Sequence, residues 1–344
     1  MGALLFSAAL ILGGPEAGDT LLFSGRDHQL EVPPPRMEDP EIRIDGFLDE
    51  AEWQRAASLT GFTQYEPVEG LPSTEETEVR VLYSPKAIYF GIHAFDREPE
   101  LILARLGERD RAIFGDDWVR IILDTFNDQR QGYVFYVNPL GIQTDGFWIE
   151  GMTRRRSTTS TVSIDYAPDF IWESDGVITE RGWSAEIRIP YVSLRFPPVP
   201  SQTWGINISR EVKRKGFKQS WAPLRKDISN PLSQSGHLVG LQGLTPKRLV
   251  EVNPVTTGKS LGQATAGHFE RESFQGEAGL NARFGITRNL VLDATVNPDF
   301  SQVEADDSRV TVNERFPQFY PEKRPFFLEG SEAFQSPMSL VYTR

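Results

Sequence analysis

The stretch Gly115-Asp116-Asp117-Trp118-Val119-Arg120-Ile121-Ile122-Leu123-Asp124 decides how this chain folds, together with the residues up to Trp148. It continues through Asn127-Asp128-Gln129-Arg130 into Gly132-Tyr133-Val134-Phe135-Tyr136-Val137-Asn138-Pro139, then Gly141 and Gln143-Thr144-Asp145-Gly146-Phe147-Trp148. Short runs rich in aromatic and β-branched residues, punctuated by Asp, Asn, Gly and Pro, read as three consecutive antiparallel strands. Side chains alternate along a strand, so Val119, Ile121 and Leu123 share one face and Trp118, Arg120, Ile122 and Asp124 the other. The first face is core. The second mixes a ring, a guanidinium and a carboxylate, which suits an ordinary wet sheet face or a surface that holds a polar ligand.

The same pattern extends outward in both directions. Residues 77–83 and 87–96 form a hairpin around Ser84-Pro85-Lys86. Further strands are expected at 176–180, 183–190, 204–212, 219–222 and 237–244, with Ser184, Glu186 and Arg188 on one face and Trp183, Ala185, Ile187 and Ile189 on the other. Short strands separated by turn clusters, without long helical patterns between them, indicate an all-β antiparallel sandwich. Asp49 is placed to cap a short helix through Ala56, on which Trp53 serves as a packing anchor.

Composition narrows the chemistry. The 344 residues, 39% hydrophobic and 24% charged, suit a globular protein of about two domains. A formal net charge of -12 argues against a nucleic-acid partner, and the tracts Arg154-Arg155-Arg156 and Lys213-Arg214-Lys215 read as solvated turns. The absence of cysteine excludes disulfides, thiolate metal sites and a cysteine nucleophile. His28, His93, His237 and His268 have no zinc-site spacing, and neither a Gly-x-Ser-x-Gly elbow nor a phosphate-binding glycine loop occurs.

Residues 1–18 read as a signal peptide: an apolar run from Gly2 to Gly14, then Pro15-Glu16-Ala17-Gly18 as a processing site. Export is the expectation, and residues 19–41, with Pro33-Pro34-Pro35 and Pro40, read as a linker. The grammar changes at about residue 246. Ala278, Leu280, Ala282, Phe284 and Ile286 alternate with polar residues or glycine, and after a tight turn so do Leu290, Leu292, Ala294 and Val296. Strands of about ten residues, greasy on one side and polar on the other, are the signature of a membrane-barrel hairpin, although a soluble amphipathic hairpin gives the same pattern.

Specific residues then carry a resemblance. Ile44-Asp45-Gly46-Phe47-Leu48-Asp49-Glu50-Ala51-Glu52-Trp53, the strand 117–124, the strand 132–138, Gly182-Trp183-Ser184-Ala185-Glu186-Ile187-Arg188-Ile189-Pro190 and Trp204-Gly205-Ile206-Asn207 resemble, in order, the carbohydrate-binding family 9-like domains, over residues 42–245. Asn297-Pro298-Asp299-Phe300-Ser301-Gln302-Val303-Glu304-Ala305-Asp306 and Phe319-Tyr320-Pro321-Glu322-Lys323-Arg324-Pro325-Phe326-Phe327-Leu328-Glu329-Gly330 resemble an outer-membrane-barrel-like domain of bacterial surface proteins, over residues 246–344. The two resemblances imply a β-sandwich followed by the first strands of an incomplete β-barrel. A closed barrel requires at least about eight strands, so more are expected beyond Arg344.

The first resemblance also implies a site. Its sugar lies between two aromatic rings, one of which corresponds to Phe114; Asp117, Arg120 and Tyr136 would be polar companions and Trp221 would wall the same face. The second ring should come from the loop 225–234, which contains no aromatic residue. Asp116, Asp117, Asp124, Asp128 and Asp145 could form a glycosidase pair or hold calcium, but carboxylates at strand ends ordinarily serve local backbone donors. No other cofactor is implied. The leading expectation is non-catalytic recognition of a polysaccharide or oligosaccharide at the bacterial surface or in the periplasm, linked to polysaccharide catabolism and tied to the outer membrane through the C-terminal region. Its rivals are a ligand-free structural or plug domain for the barrel, and an enzyme acting on O-glycosyl bonds.

Overall fold

The computed structural model describes residues 21–110, 115–150, 154–157, 160–162, 164–166, 168–245, 250–259, 262–265, 268–271, 275–287 and 290–297. The expected leader, Phe114 and the segment 298–344 lie outside them.

Two stacked sheets make the sandwich. The first runs in the order β1 (Leu22–Ser24), β3 (Ala57–Thr60), β5 (Thr77–Tyr83), β6 (Ala87–Phe95), β14 (Gly182–Pro190) and β13 (Glu173–Thr179). The second runs β12 (Ile164–Asp165), β9 (Gln143–Ile149), β8 (Gln131–Val137), β7 (Trp118–Asp124), β15 (Ser201–Val212), β16 (Phe217–Ser220) and β4 (Thr63–Glu66), while β17 (Gly236–Gln242) pairs with β15 and with β2 (Glu31–Val32). A small pair, β10 (Arg154–Ser157) and β11 (Ser160–Val162), stands apart.

The expected hairpin around Ser84 and the three strands from Trp118 to Ile149 form in antiparallel register. Val119, Ile121 and Leu123 meet Trp183, Ala185, Ile187 and Ile189 across the gap between the sheets, as alternation requires. At one end of the sandwich the buried Arg210 of β15 donates to the carbonyls of Glu76 and Phe95, both at 2.9 Å, and to Thr77 Oγ1 at 3.1 Å. A cation taken out of water needs such partners, and here they fix one sheet against the other.

The opposite face of β14 is not open to water. Ser184 and Glu186 lie buried beneath the segment from Asp45 to Trp53, and the Ser184 hydroxyl donates to the Gly46 carbonyl at 2.6 Å. Trp53 is fully buried with Met37, Leu82 and Tyr89, the anchor its sequence context suggests. The helix carrying it, α1 (Ala51–Gln54), is shorter than expected and is not capped by Asp49. Glu50 occupies the N-cap without a capping bond, because its carboxylate accepts instead from the Arg43 backbone N–H at 3.0 Å.

The segment read as a linker is part of the sandwich. β1 pairs parallel with β3 and β2 parallel with β17, so residues from Leu22 onward edge both sheets. The prolines do not prevent this, because they sit where no N–H is required: Pro35 contributes only its carbonyl, accepting from the Tyr83 N–H at 3.1 Å, and the Met37 N–H then donates to the Tyr83 carbonyl at 2.8 Å.

Beyond Thr245 a separate antiparallel sheet has the order β18 (Val250–Lys259), β21 (Gln275–Thr287) and β22 (Leu290–Val296), beside the short pair β19 (Gly262–Thr265) and β20 (His268–Arg271). Its register aligns Val250 with Phe284 and Leu292, Val252 with Ala282 and Ala294, and Pro254 with Leu280 and Val296. One face is therefore apolar across all three strands, and it is exposed: Val250 and Val296 each leave about two thirds of their surface open. On the other face Thr295 Oγ1 donates to Asn281 Oδ1 at 2.6 Å. No closed barrel forms among the described residues.

Candidate functional site

A cleft of about 280 Å³ opens on the outer face of the second sheet, lined by Tyr65, Trp118, Arg120, Tyr136, Glu211, Lys213 and Lys218. Strand register assembles it. Arg120 pairs with Tyr136 on one side and Ser209 on the other, Trp118 with Glu211, Glu211 with Lys218, and Lys218 with Glu66, so five strands contribute two neighbouring rows of side chains. This volume is at the lower edge of ligand pockets, which run about 300–1,000 Å³.

Arg120 is its centre. The guanidinium carbon lies 5.8 Å from the Trp118 ring centroid and 5.9 Å from that of Tyr136, and the two rings meet edge to face at 5.2 Å and 82°. Arg120 Nη2 donates to Ser209 Oγ at 3.1 Å, and that hydroxyl donates to Asn207 Oδ1, also at 3.1 Å. Beside these residues on the same face Ile122, Val134, Trp148, Ile164 and Leu232 form a small apolar cluster with Trp118 and Tyr136, which holds both rings in place. At the rim Lys213 Nζ lies 3.2 Å from Glu211 and Lys218 Nζ lies 2.8 Å from Glu66. Burial pulls the Lys218 ammonium down, but the Glu66 carboxylate more than offsets it and the group is held above the usual lysine range. Burial also raises the Tyr65 hydroxyl, which therefore serves as a neutral donor or acceptor.

Of the site residues expected from the sequence, Arg120 and Tyr136 meet in this cleft. Asp117 does not. It has the parity of Val119 and points inward, fully buried, accepting from the Lys213 backbone N–H at 2.9 Å. Burial pushes its carboxyl up to about 6. Trp221 is also excluded, because it follows Ser220, whose register partner Ser209 faces the cleft, and so turns to the opposite side. Its indole is sealed in the main core and donates to the Phe23 carbonyl at 3.1 Å. Phe114 lies outside the described residues.

The remaining carboxylates serve local structure. Asp116 accepts from the Arg105 and Asn138 side chains, Asp124 from the Gln129 N–H at 2.7 Å, Asp145 from the Phe170 N–H at 2.6 Å and Asp128 from the Arg130 N–H at 2.9 Å. Among the described residues no three His, Asp or Glu side chains gather as a metal site would require.

Tyr65, Glu211, Lys213 and Lys218 do not stand out in the sequence as site residues. Glu211 is within reach of such a reading, since alternation in β15 puts it on the face of Asn207 and Ser209. The tract Lys213-Arg214-Lys215 is no solvated turn: Lys213 lines the cleft, Arg214 grips Asp96 at 2.6 and 2.7 Å, and Lys215 pairs with the buried Glu75.

Known proteins resemble portions of this chain. Residues 246–344 match a family described as a domain of unknown function, DUF5916. No curated protein matches the chain in sequence. Among solved structures, the chain is similar to a carbohydrate-binding module of family 9 from Caldicellulosiruptor kristjanssonii in complex with cellotriose, at 14% identity and a TM-score of 0.41, covering 62% of this chain and 95% of that one. The module in complex with glucose gives 13% identity and a TM-score of 0.41, covering 63% and 96%. A candidate carbohydrate-binding protein from Bacteroides uniformis gives 12% and 0.47, covering 61% and 98%.

Proposed function

We propose that the sandwich is a non-catalytic glycan-binding module and that its ligand lies in the cleft around Arg120. The observation that carries this reading is the cleft itself, where donors and acceptors of fixed geometry stand beside aromatic rings on a rigid sheet. Sugars need groups of this kind for orientation. The two carboxylates at its rim, Glu66 and Glu211, are both held by lysines, an arrangement suited to binding and not to an acid–base pair. Titration of the 344-residue chain against neutral and acidic oligosaccharides tests the proposal. Tyr65→Ala is expected to weaken binding about tenfold, or about 1.4 kcal/mol. Failure to bind any glycan, or affinity untouched by Tyr65→Ala, contradicts it.

The same reading makes the β18–β21–β22 sheet the beginning of an outer-membrane barrel. An apolar face of this extent left open to water favours lipid as its neighbour. The sandwich would then stand at the outer membrane of an exported protein and present captured polysaccharide for catabolism.

A further inference from the structure

The charge around Arg120 indicates which glycan fits, an inference that rests on the glycan-binding reading and narrows it. Trp118 and Tyr136 are each only about 6% exposed, and they pack edge to face against one another with the guanidinium 5.8 and 5.9 Å from their centroids. Packed against one another and against the apolar cluster beside them, the rings are buried, so neither is free to stack on the C–H face of a neutral sugar. Charge is what the cleft offers. Two of its three cations are already matched, Lys213 by Glu211 and Lys218 by Glu66. Arg120 is not: it donates to the neutral Ser209 hydroxyl, its Nε is buried without a hydrogen-bond partner, and among the described residues no carboxylate lies within ion-pair distance of it.

A guanidinium withdrawn from water and unmatched by an anion is costly, and its planar fork fits a carboxylate through two parallel hydrogen bonds. The chain's net charge of -12 does not oppose this, because at physiological salt charges farther than about 8 Å are largely screened and the local surplus decides. We propose that the cleft takes an acidic saccharide, a uronate residue whose carboxylate pairs with Arg120. Its ring lies toward Tyr65 and the rim lysines. The small volume admits a single residue of the chain or its end.

The test is calorimetric titration of the 344-residue chain with oligomers of galacturonate, glucuronate and mannuronate, each beside its carboxyl-reduced neutral counterpart. At least one uronate oligomer is expected to bind tenfold or more tightly than its neutral form, and Arg120→Gln is expected to abolish that difference. Lys218→Gln, at the half-buried rim, is expected to fold and to lower uronate affinity a few-fold, which guards against Arg120→Gln failing to fold. Equal affinity for acidic and neutral oligomers overturns the proposal and leaves the glycan-binding reading standing, as does discrimination that survives in a folded Arg120→Gln or Lys218→Gln protein with native uronate affinity. Absence of binding to either series overturns both.

Discussion

Glu186 shows how a single buried carboxylate can fasten an edge segment. Its Oε2 accepts from the Asp45 and Gly46 N–H groups at 2.9 and 3.0 Å, and its Oε1 from the Trp53 indole at 2.9 Å. Burial raises the carboxyl and prevails over these donors, pushing it up to about 7 from an ordinary value near 4.5. The folded chain thus holds this proton more tightly than the unfolded chain, so the stability linked to it is fully present below about pH 4.5 and is lost as pH rises through about 7. Melting temperatures of the native chain and Glu186→Gln, measured from pH 4 to pH 8, check this. The native value minus the variant value is expected to fall across that range, and a difference that grows with pH contradicts the assignment. Asp117 and Arg120, three positions apart, make a related point: parity alone turns one inward and the other toward the cleft.

At the scale of elements, the N-terminal strands are held by close contact with Trp221 as well as by pairing. A Cβ added at Gly25 would stand 1.8 Å from the Trp221 carbonyl oxygen, and one at Gly236 would stand 2.4 Å from the indole ring. Backbone cannot yield as the tip of a flexible side chain can. Gly25→Ala is therefore expected to destabilise the sandwich by about 1–3 kcal/mol, the usual cost of overpacking. Urea denaturation followed by tryptophan fluorescence reads this as a lower midpoint at unchanged slope. An unchanged midpoint would show that the segment from Leu22 to Val32 is only loosely attached. The proline-rich strap from Val32 to Met37 then reads as an edge that ends pairing in a controlled way, with Pro35 supplying an acceptor where a donor is not needed.

Across the molecule, two β architectures succeed one another with opposite uses of their apolar residues. The sandwich encloses them between sheets, whereas the β18–β21–β22 sheet leaves Val250, Val252, Leu280, Phe284, Leu292 and Val296 open along one face. If lipid covers that face, Leu280→Arg with Phe284→Arg should move the chain from the vesicle fraction to the soluble fraction on flotation with phosphatidylcholine vesicles. A cation at mid-membrane depth costs about 2–4 kcal/mol. Equal flotation of native and variant chains contradicts a membrane role. Period-two alternation is a local property of an extended backbone, so the strands, the hairpin around Ser84, the core face of β7 and the change of grammar near residue 246 are all legible from residue order alone. The meeting of Arg120 and Tyr136 on one face is legible too, since neighbouring strands share a register that a short loop sets. Long-range folding settled the rest: the supposed linker edges both sheets, Trp221 is sealed away, and Tyr65, Glu211 and Lys218 complete the cleft. Those outcomes depend on pairing between strands distant in the chain, fixed by which register buries the most apolar surface, and no local pattern encodes that sum.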